Sequence, residues 1–408
     1  MLKSILPLSA LLLGSAFLMF AGGVNGLILP IRGEIEGMSA ASLGLLGTGW
    51  ALGYVLGCLR TSYLVARVGH VRVFGAMCAV ATISILFSLL FVTPWVWIPL
   101  RGLSGFCFAG AAMVVESWIN EHADHSTRGR VFGIYTMVNL AATTAGQLAL
   151  TVGNPAGFLF FVLPAIVYCM ALLPTAISAA SSPSPIVSVK LDVATLWRNS
   201  PVAVFGVFMV GISNGAFGTL AAVYAAYAGL AVHEVAFFAA LPVLAGAIAQ
   251  LPIGYLSDRF DRRLVLIATA IVALAADATF VFFTPQGVMP NIIAGAIFGA
   301  AVFSMQPIIV AHANDYAEPG KSIQVAGGLL LVFGIGTIIG PTVAGLAMSE
   351  FHSTSLFWIT AGSHILLILF AVARIRARDS LSEEDKGSFV ASPLPRSTTP
   401  VTQVMAES

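Results

Sequence analysis

The chain has 408 residues, of which 58% are apolar and only 9% are charged, and its mean hydropathy is +0.95. A soluble domain usually has about a quarter of its residues charged, so this composition excludes a soluble globular enzyme. The formal net charge of +1 offers no basic surface to a nucleic acid. Forty glycines and twenty prolines in an apolar background are typical of packed membrane helices. The composition therefore predicts a multi-pass protein of the lipid bilayer.

Apolar runs long enough to cross the bilayer core as a helix, about 20 residues each, occur twelve times. The first run follows Lys3 and resembles a secretory signal peptide. Its removal would leave an odd number of spans, so we expect an uncleaved first helix. The predicted spans cover residues 5–30, 41–66, 71–92, 95–120, 130–153, 156–178, 201–228, 233–257, 263–284, 289–313, 322–349 and 354–376.

Basic residues are distributed unevenly between the two sides of this twelve-span arrangement. Sixteen of the 19 lysines and arginines fall on one side, whereas only Arg32 falls on the other and Arg60 and Arg101 lie within spans. By the positive-inside rule, both termini are predicted to be cytoplasmic in a plasma (inner) membrane.

A polar segment at 179–200 separates six predicted spans from the other six, and short matches recur across it. The matching pairs are Asn25-Gly26 with Asn214-Gly215, Ser62–Arg72 with Gly254–Arg263, and Gly146-Gln147 with Gly340-Pro341. Their offsets of 189, 192 and 194 residues keep the two sets in register. Parallel six-helix repeats of this kind are typical of one large transporter fold.

The expected organisation is therefore an all-α membrane protein with twelve transmembrane helices in two pseudo-symmetric halves. The halves cover residues 1–178 and 201–376, and a cytoplasmic linker covers 179–200. The tail at 377–408 is rich in Ser, Thr, Pro and acidic residues, and we expect it to be disordered and cytoplasmic.

The segment Gly254–Arg263 resembles the signature loop of the major facilitator superfamily, Gly-x-Leu-x-Asp-Arg-x-Gly-Arg-Arg, between that family's helices 8 and 9. Further elements, Val114–Ser117, Arg128–Arg130 and Gly146–Leu148, are similar to its YcaD-type branch. The resemblance covers residues 1–376. It implies a monomeric secondary active transporter that moves a small solute by alternating access, with protons as coupling ions and without a cofactor or metal.

The first copy of the signature loop departs from the family pattern. Ser62 stands where the family has the leading glycine, and Ala66 stands where it has the aspartate. Gln147 replaces the proline that antiporters of the family tend to carry in helix 5. These departures weaken, without excluding, the interpretation as a drug–proton exporter.

Ionisable side chains inside a bilayer are costly, so each one indicates a function or a specific partner. Arg101 in span 4 resembles an arginine that many members carry in helix 4, where it is linked to proton or substrate coupling. The alternative is an arginine that reaches the outer headgroups. Glu116 in the same span is either a proton carrier or the structural partner of Arg60, and we favour the pair. Asp277 and His364, in spans 9 and 12, could pair with each other.

Substrate contacts are expected from polar side chains within the apolar spans, near the membrane midplane. For any single amide the competing interpretation is a hydrogen bond that joins two helices. The symmetric pair Asn25 and Asn214 is the strongest candidate. The predicted substrate-binding and coupling residues are Asn25, Arg101, Glu116, Asn139, Gln147, Asn214, Gln250 and Gln306.

Charged residues of the cytoplasmic loops are expected to form a gate. Glu121 and Arg128 resemble an element of the family's 4–5 loop, and Asn314 with Lys321 is interpreted as its reduced copy. Asp258 would engage the N-terminus of span 5 and Arg128 or Arg130. The alternative is a solvated set of charges that only fixes topology. The predicted gate residues are Arg67, Glu121, Arg128, Arg130, Asp258, Arg259 and Arg262.

The expected function is proton-coupled transport that exports amphipathic compounds, with uptake of a sugar or other metabolite as the alternative. An intramembrane enzyme and a non-transporting receptor or scaffold are rivals from other classes. The sequence shows no His-Glu-x-x-His motif and no paired intramembrane carboxylates for catalysis. It also has no Gly-x4-Gly-Lys-[Ser/Thr] motif for ATP, and we expect no enzymatic activity.

Overall fold

A computed structural model of the chain describes residues 2–122, 128–177, 192–318 and 321–377, together with residues 386, 387, 389 and 399. These parts of the chain contain helices and no strand. The α-helices are α1 (Leu2–Ile35), α2 (Ala40–Val68), α3 (His70–Leu90), α4 (Pro94–His122), α5 (Arg128–Leu148), α6 (Leu159–Ile177), α7 (Val193–Asn199), α8 (Pro201–Tyr227), α9 (Val232–Arg259), α10 (Arg262–Ala278), α11 (Val288–Asp315), α12 (Ser322–Glu350) and α13 (Ser355–Ile375).

Twelve of these helices are long, and they follow the order of the twelve predicted spans. Within the described residues, ten are long and apolar enough to cross a membrane by themselves, and α6 adds a shorter apolar stretch at Leu159–Pro174. Helix α5 is the most polar of the long helices, because it carries Asn139, Thr143, Thr144 and Gln147. The all-α prediction is confirmed, and α5 is the long helix whose side chains are least suited to lipid alone.

The chain forms two compact units. Unit 1 contains Met1–Met38, Gly49–Ser188 and Thr399–Ser408, and unit 2 contains Ser39–Thr48 and Val189–Thr398. The division falls inside α2, so the first residues of this helix belong to unit 2.

The two units repeat one packing pattern. In unit 1, α1 packs mainly on α5 and α6, and α3 packs on α4 and α6. In unit 2, α8 packs on α12 and α13, and α10 packs on α11 and α13. Helices α1 and α3 of unit 1 thus have the same main neighbours as α8 and α10, the helices seven elements later, as expected for a repeat whose copies are separated by the short α7.

Glycines at equivalent positions allow the closest helix contacts in both units. A Cβ added to Gly146 in α5 would lie 2.2 Å from the carbonyl oxygen of Phe20 in α1. A Cβ added to Gly340 in α12 would lie 2.2 Å from the carbonyl oxygen of Ile212 in α8. No side chain fits at either distance, so these helix pairs approach backbone to backbone. The Gly146–Gly340 match of the sequence is therefore also a match in packing.

Helix α7 lies in the segment that the sequence assigns to the linker, and it was not predicted. Asp192 caps it by accepting hydrogen bonds from the Thr195 backbone N–H at 2.9 Å and the Thr195 hydroxyl at 2.6 Å. Leu196 is its buried side chain. Seven residues are too few to show a helical period in the sequence. The rest of the predicted linker, up to residue 191, and most of the predicted tail lie outside the described residues.

Candidate functional site

A buried polar network in unit 1 centres on Glu116 of α4, which is 1% exposed. The Tyr135 hydroxyl donates to Glu116 Oε1 at 3.0 Å, and the Thr399 hydroxyl donates to Oε2. Tyr135 also interacts with Asn139, whose Oδ1 accepts a hydrogen bond from the Ser15 hydroxyl at 2.7 Å. Tyr135 and Asn139 are four residues apart on α5 and therefore share one face of that helix. The network joins α1, α4 and α5.

An aromatic stack in α2 and α4 includes Tyr54, which is an electrostatic neighbour of Glu116. The rings of Trp50 and Tyr54 in α2 stack at 5.0 Å between centroids, and Phe108 of α4 lies 6.1 Å from Trp50 and 6.5 Å from Tyr54. Tyr54 is buried and is an electrostatic neighbour of both Glu116 and Tyr135. Unit 1 thus contains an aromatic surface and a carboxyl group that interacts electrostatically with one of its rings, a combination that suits a ligand with polar and apolar parts.

A second polar group in unit 1 is formed by Arg101, Asn25 and Tyr168. Arg101 is 9% exposed, and its Nε has no hydrogen-bond partner among the described residues. Tyr168 of α6 is an electrostatic neighbour of both Arg101 and Asn25. Asn25 of α1 is also buried, and its Oδ1 is unpartnered in the described structure. The structure therefore brings together two of the predicted site residues and adds Tyr168, for which the sequence offered no signal.

Arg101 and Glu116 belong to different levels of α4. They are fifteen residues apart, which corresponds to about 22 Å along a helix. The two polar groups of unit 1 are therefore separate. Within the described residues, Gln147, which is half-buried near the end of α5, makes no hydrogen bond to either of them.

The expected pair between Arg60 and Glu116 is not present. Arg60 is exposed on α2, and no salt bridge joins it to Glu116 within the described residues. Hydroxyl groups of Tyr135 and Thr399 occupy the carboxyl oxygens instead. The prediction from similar depth was wrong because depth does not specify which face of a helix carries the side chain.

In unit 2, three of the predicted amides are buried. Asn214 is fully buried in α8, and neither of its amide atoms has a hydrogen-bond partner in the described structure. Gln306 of α11 is 2% exposed, and its Oε1 is unpartnered there as well. Gln250 of α9 donates to the carbonyl oxygen of Phe303 in α11 at 3.3 Å, which joins those two helices. Gln250 therefore has a structural bond, whereas Asn214 and Gln306 keep free hydrogen-bonding capacity.

Asp277 and His364 form the pair that the sequence suggested. The His364 Nδ1 lies 2.7 Å from Asp277 Oδ2, and the Thr360 hydroxyl donates to Oδ1 at 2.6 Å. Both Asp277 and His364 are fully buried between α10 and α13. These contacts join two helices of unit 2.

A cluster of charges at one end of unit 2, which we call the Arg262 charge cluster, consists of Asp258, Arg262 and Asp315. The Arg262 guanidinium is 1% exposed, and its Nε lies 2.7 Å from Asp315 Oδ2. Its Nη1 lies 3.3 Å from Asp258 Oδ1 and donates to the Ser257 hydroxyl at 3.0 Å. A buried guanidinium requires such partners, because an uncompensated charge is costly away from water. Asp258 and Arg262 were predicted gate residues, and Asp315 was missed.

Asp315 corrects the proposed copy of the 4–5 loop element. The offset of 194 residues that relates Gly146 to Gly340 also relates Glu121 to Asp315, one position beyond Asn314. In unit 1 the equivalent of Arg262 is His70, which is buried and has Glu121 as an electrostatic neighbour. The correct register of the repeat would have found Asp315 from the sequence.

The remaining predicted gate residues are on the surface of their units. Arg67 and Arg130 are exposed, and Arg259 is exposed with its guanidinium 4.2 Å from the centre of the Tyr255 ring. Glu121 is exposed at the end of α4. The side chain of Arg128 lies outside the described residues.

Comparison with known proteins matches nearly the whole chain to one family. The family model "Major Facilitator Superfamily" matches residues 11–231 and 203–404. The "Uncharacterized MFS-type transporter YcaD" of Salmonella typhi is 27% identical over 386 residues, covering 90% of this chain and 96% of that protein. Its counterpart in Salmonella typhimurium is 27% identical over 380 residues, covering 89% and 94%. The resemblance to the YcaD-type branch is confirmed.

Solved structures share the fold at low identity. The nucleoside transporter NupG aligns with a TM-score of 0.78 and 14% identity, covering 91% of this chain and all of that one. A bacterial homolog of the human lysosomal transporter Spinster, inward-facing and occupied, aligns with a TM-score of 0.73 and 18% identity, covering 93% and 98%. These similarities establish the arrangement of the helices and not the solute. The chain belongs to the major facilitator superfamily and is a multi-pass membrane transporter.

Proposed function

We propose that this transporter is proton-coupled and exports small amphipathic compounds by alternating access, working as a monomer with both termini in the cytoplasm. The observation that carries the proposal is the burial of Glu116 against the hydroxyl of Tyr135, with Tyr54 of the aromatic stack as an electrostatic neighbour. The proposal treats Glu116 as the proton carrier and the aromatic stack as part of the substrate surface.

The hydroxyl neighbours of Glu116 suit a group that gains and loses a proton. A hydroxyl donates a hydrogen bond to a carboxylate, and after rotation it accepts one from the protonated acid. Tyr135 and Thr399 can therefore satisfy either protonation state of Glu116 without moving other groups.

The solute class follows from the side chains around the network. Trp50, Tyr54 and Phe108 offer an apolar aromatic surface, and the amide of Asn139 and the hydroxyl of Ser15 offer hydrogen bonds nearby. Ligand sites of this kind are mostly apolar with a few polar groups that set orientation. An amphipathic solute with one hydrogen-bonding or cationic group matches this set better than a sugar, whose many hydroxyls need more hydrogen-bonding partners than Asn139 and Ser15 supply.

The experiment that tests transport begins with ligand identification. Purified protein is screened for a rise in apparent melting temperature against amphipathic amines and dyes in one arm and sugars, nucleosides and other metabolites in the other, because a true ligand stabilises the folded state. Compounds that stabilise are then measured for flux in proteoliposomes with an imposed pH gradient, with and without a protonophore. We expect an amphipathic hit whose flux disappears with the protonophore. A sugar or metabolite hit with inward flux would replace the export proposal by uptake.

A matched pair of variants tests the role of Glu116. Glu116→Gln keeps the size and an acceptor for Tyr135 but cannot release a proton, whereas Glu350→Gln makes the same change at an exposed site. We expect Glu116→Gln to remain folded, to retain downhill exchange and to lose uphill flux driven by pH. Glu350→Gln should behave as the wild type. Uphill flux that persists in Glu116→Gln would assign the proton to another group.

We further propose that the cytoplasmic charges act as a gate, in which Asp258 exchanges its contact with Arg262 for Arg130 or Arg128 and the N-terminus of α5. The support is the accessibility of Asp258, whose side chain is 41% exposed although it touches buried Arg262. Labelling of single cysteines introduced at the cytoplasmic helix ends, in wild type and Asp258→Asn, measures the inward and outward populations. A ratio that does not change in Asp258→Asn contradicts the gate.

A further inference from the structure

Three residues of the C-terminal tail make specific contacts with the Arg262 charge cluster of unit 2 and the loop beside it. The Phe389 backbone N–H donates to Asp258 Oδ1 at 2.9 Å, and the Gly387 N–H donates to Asp315 Oδ1 at 3.0 Å. The Lys386 ammonium donates to the carbonyl oxygen of Phe260 at 2.9 Å. We call these contacts, made by Lys386, Gly387 and Phe389, the tail contact.

The tail contact completes the hydrogen bonding of the buried guanidinium. Arg262 Nη2 donates to the Gly387 carbonyl oxygen, while its other nitrogens bind Asp315, Asp258 and Ser257. The backbone N–H of Gly387 therefore donates to Asp315, and its carbonyl oxygen accepts from Arg262. Such charge-assisted bonds to the backbone are stronger than neutral ones and specify one position of the segment.

The Phe389 ring occupies space that the leading glycine of the signature loop leaves open. A Cβ added to Gly254 would lie 2.4 Å from Cδ1 and 2.7 Å from Cε1 of Phe389. The three atoms nearest to that added Cβ all belong to this ring. An alanine at position 254 would therefore meet the tail first, and no other part of the bundle approaches as closely.

Only the second copy of the signature loop provides these features. The first copy has Ser62 in place of Gly254 and Ala66 in place of Asp258. It lacks both the open space for a ring and the carboxylate for a backbone N–H. The tail contact thus uses Gly254 and Asp258, two positions at which the second copy differs from the first.

We propose that the tail contact is an intramolecular ligand site, at which the C-terminal tail of this transporter docks on the Arg262 charge cluster and occupies Asp258. The occupant is a segment of this same chain with a phenylalanine that enters the Gly254 space, a preceding glycine that binds Arg262 and Asp315, and a lysine that binds the loop carbonyl. Docking is reversible, and the undocked tail leaves Asp258 available to another partner.

Limited trypsin digestion of the full-length protein tests docking, because cleavage after Lys386 requires the tail to leave its site. When docking is fast, the cleavage rate follows the population of the undocked state. Gly254→Ala leaves the sequence of the cleaved segment unchanged and raises local helix propensity. Gly362→Ala makes the same change in α13 of the same unit, where an added Cβ meets nothing within 4 Å. The peptide that begins at Gly387 is quantified by mass spectrometry.

We expect Gly254→Ala to increase the cleavage rate at least about tenfold, which corresponds to about 1.4 kcal/mol in the docking equilibrium. Gly362→Ala should cleave at the wild-type rate. Phe389→Ala should also cleave faster, after correction for the rates of synthetic peptides that span residues 383–392 with and without the change. Cleavage of Gly254→Ala at the rate of Gly362→Ala would overturn the proposal.

The relation of docking to the gate rests on the proposed function and has its own readout. If Asp258 alternates between the tail and Arg130, the two contacts compete, and competition is reciprocal. Arg130→Gln should then slow cleavage after Lys386. If Gly254→Ala accelerates cleavage while Arg130→Gln leaves the rate unchanged, docking stands and the gate partner is wrong.

Discussion

Removal of the Asp315 charge perturbs the most completely buried ion pair that touches the signature loop. Arg262 is 1% exposed and Asp315 is 3% exposed, with 2.7 Å between Nε and Oδ2. The Asp315→Asn variant keeps the shape and leaves Arg262 with Asp258, at 3.3 Å and 41% exposed, as its remaining carboxylate. Loss of one partner of a buried pair costs about 3–5 kcal/mol, and the residual Asp258 contact places the expected loss near about 3 kcal/mol.

The thermal unfolding midpoint in detergent measures this loss. An unfolding entropy of about 2.1 cal/mol/K per residue converts about 3 kcal/mol into a fall of about 3–4 °C for a chain of this length. The control is Glu318→Gln, which removes a carboxylate from an exposed pair with Lys321 and should cost about 0–1 kcal/mol. The double variant Arg262→Met with Asp315→Leu should recover much of the loss, because it removes both charges together. An Asp315→Asn midpoint equal to that of Glu318→Gln would refute the reasoning.

Three further outcomes follow from the packing and the loops. Gly340→Ala should abolish stable expression, because its Cβ would lie 2.2 Å from a backbone oxygen of α8, whereas Gly362→Ala should be neutral; the monodisperse yield after purification measures both. Asp277→Ala should reduce the free energy of unfolding by about 1–3 kcal/mol and so lower the midpoint, because it leaves the His364 ring and the Thr360 hydroxyl buried without their acceptor; a midpoint within 1 °C of wild type contradicts this. Burial alone would raise the pKa of Asp261, but hydrogen bonds from the side chain and the backbone N–H of Arg263 lower that pKa below its usual range. Its stabilising effect should therefore be complete above about pH 4 and be lost as the pH falls through the lowered pKa, so the midpoints of wild type and Asp261→Asn should converge between pH 5 and pH 2.

The helices were predictable because the bilayer imposes a length and a composition on each span. Runs of about 20 apolar residues and the one-sided distribution of basic residues define twelve helices without reference to packing. The short α7 was missed because seven residues carry no period, and because its stability comes from the Asp192 cap and the burial of Leu196. Such local contacts are specified by the folded surroundings rather than by composition.

The candidate site was only partly predictable, because the position of a residue in a span indicates its depth in the membrane but not the neighbouring helix that its side chain contacts. Glu116 and Asn139 were found as polar residues in apolar surroundings, and both lie in one network. Arg60 was placed beside Glu116 by depth alone, and the structure turns it to the exposed face of α2. Asp315 was missed because the offset between the repeats rises from 189 to 194 residues along the chain, and Asn314 rather than Asp315 was matched to Glu121.

Contacts of the tail could not be foreseen from its composition. A segment rich in Ser, Thr, Pro and acidic residues has too little apolar surface to fold alone. The Phe389 ring packs over Gly254, and its backbone N–H donates to Asp258, which lies 131 residues earlier in the chain. Contacts between segments so far apart in the chain can be recognised only when the positions of both segments in the fold are known.

Proton movement that accompanies the solute tests the central role of Glu116 most directly. Proteoliposomes are loaded with a pH-sensitive dye at equal pH on both sides, and a stabilising ligand from the screen is added on one side. Proton coupling through Glu116 predicts a ligand-dependent pH change for wild type and Glu350→Gln, and none for Glu116→Gln, although all three bind the ligand. A pH change of wild-type size in Glu116→Gln, or its absence in a wild type that moves the ligand, would contradict proton coupling through Glu116.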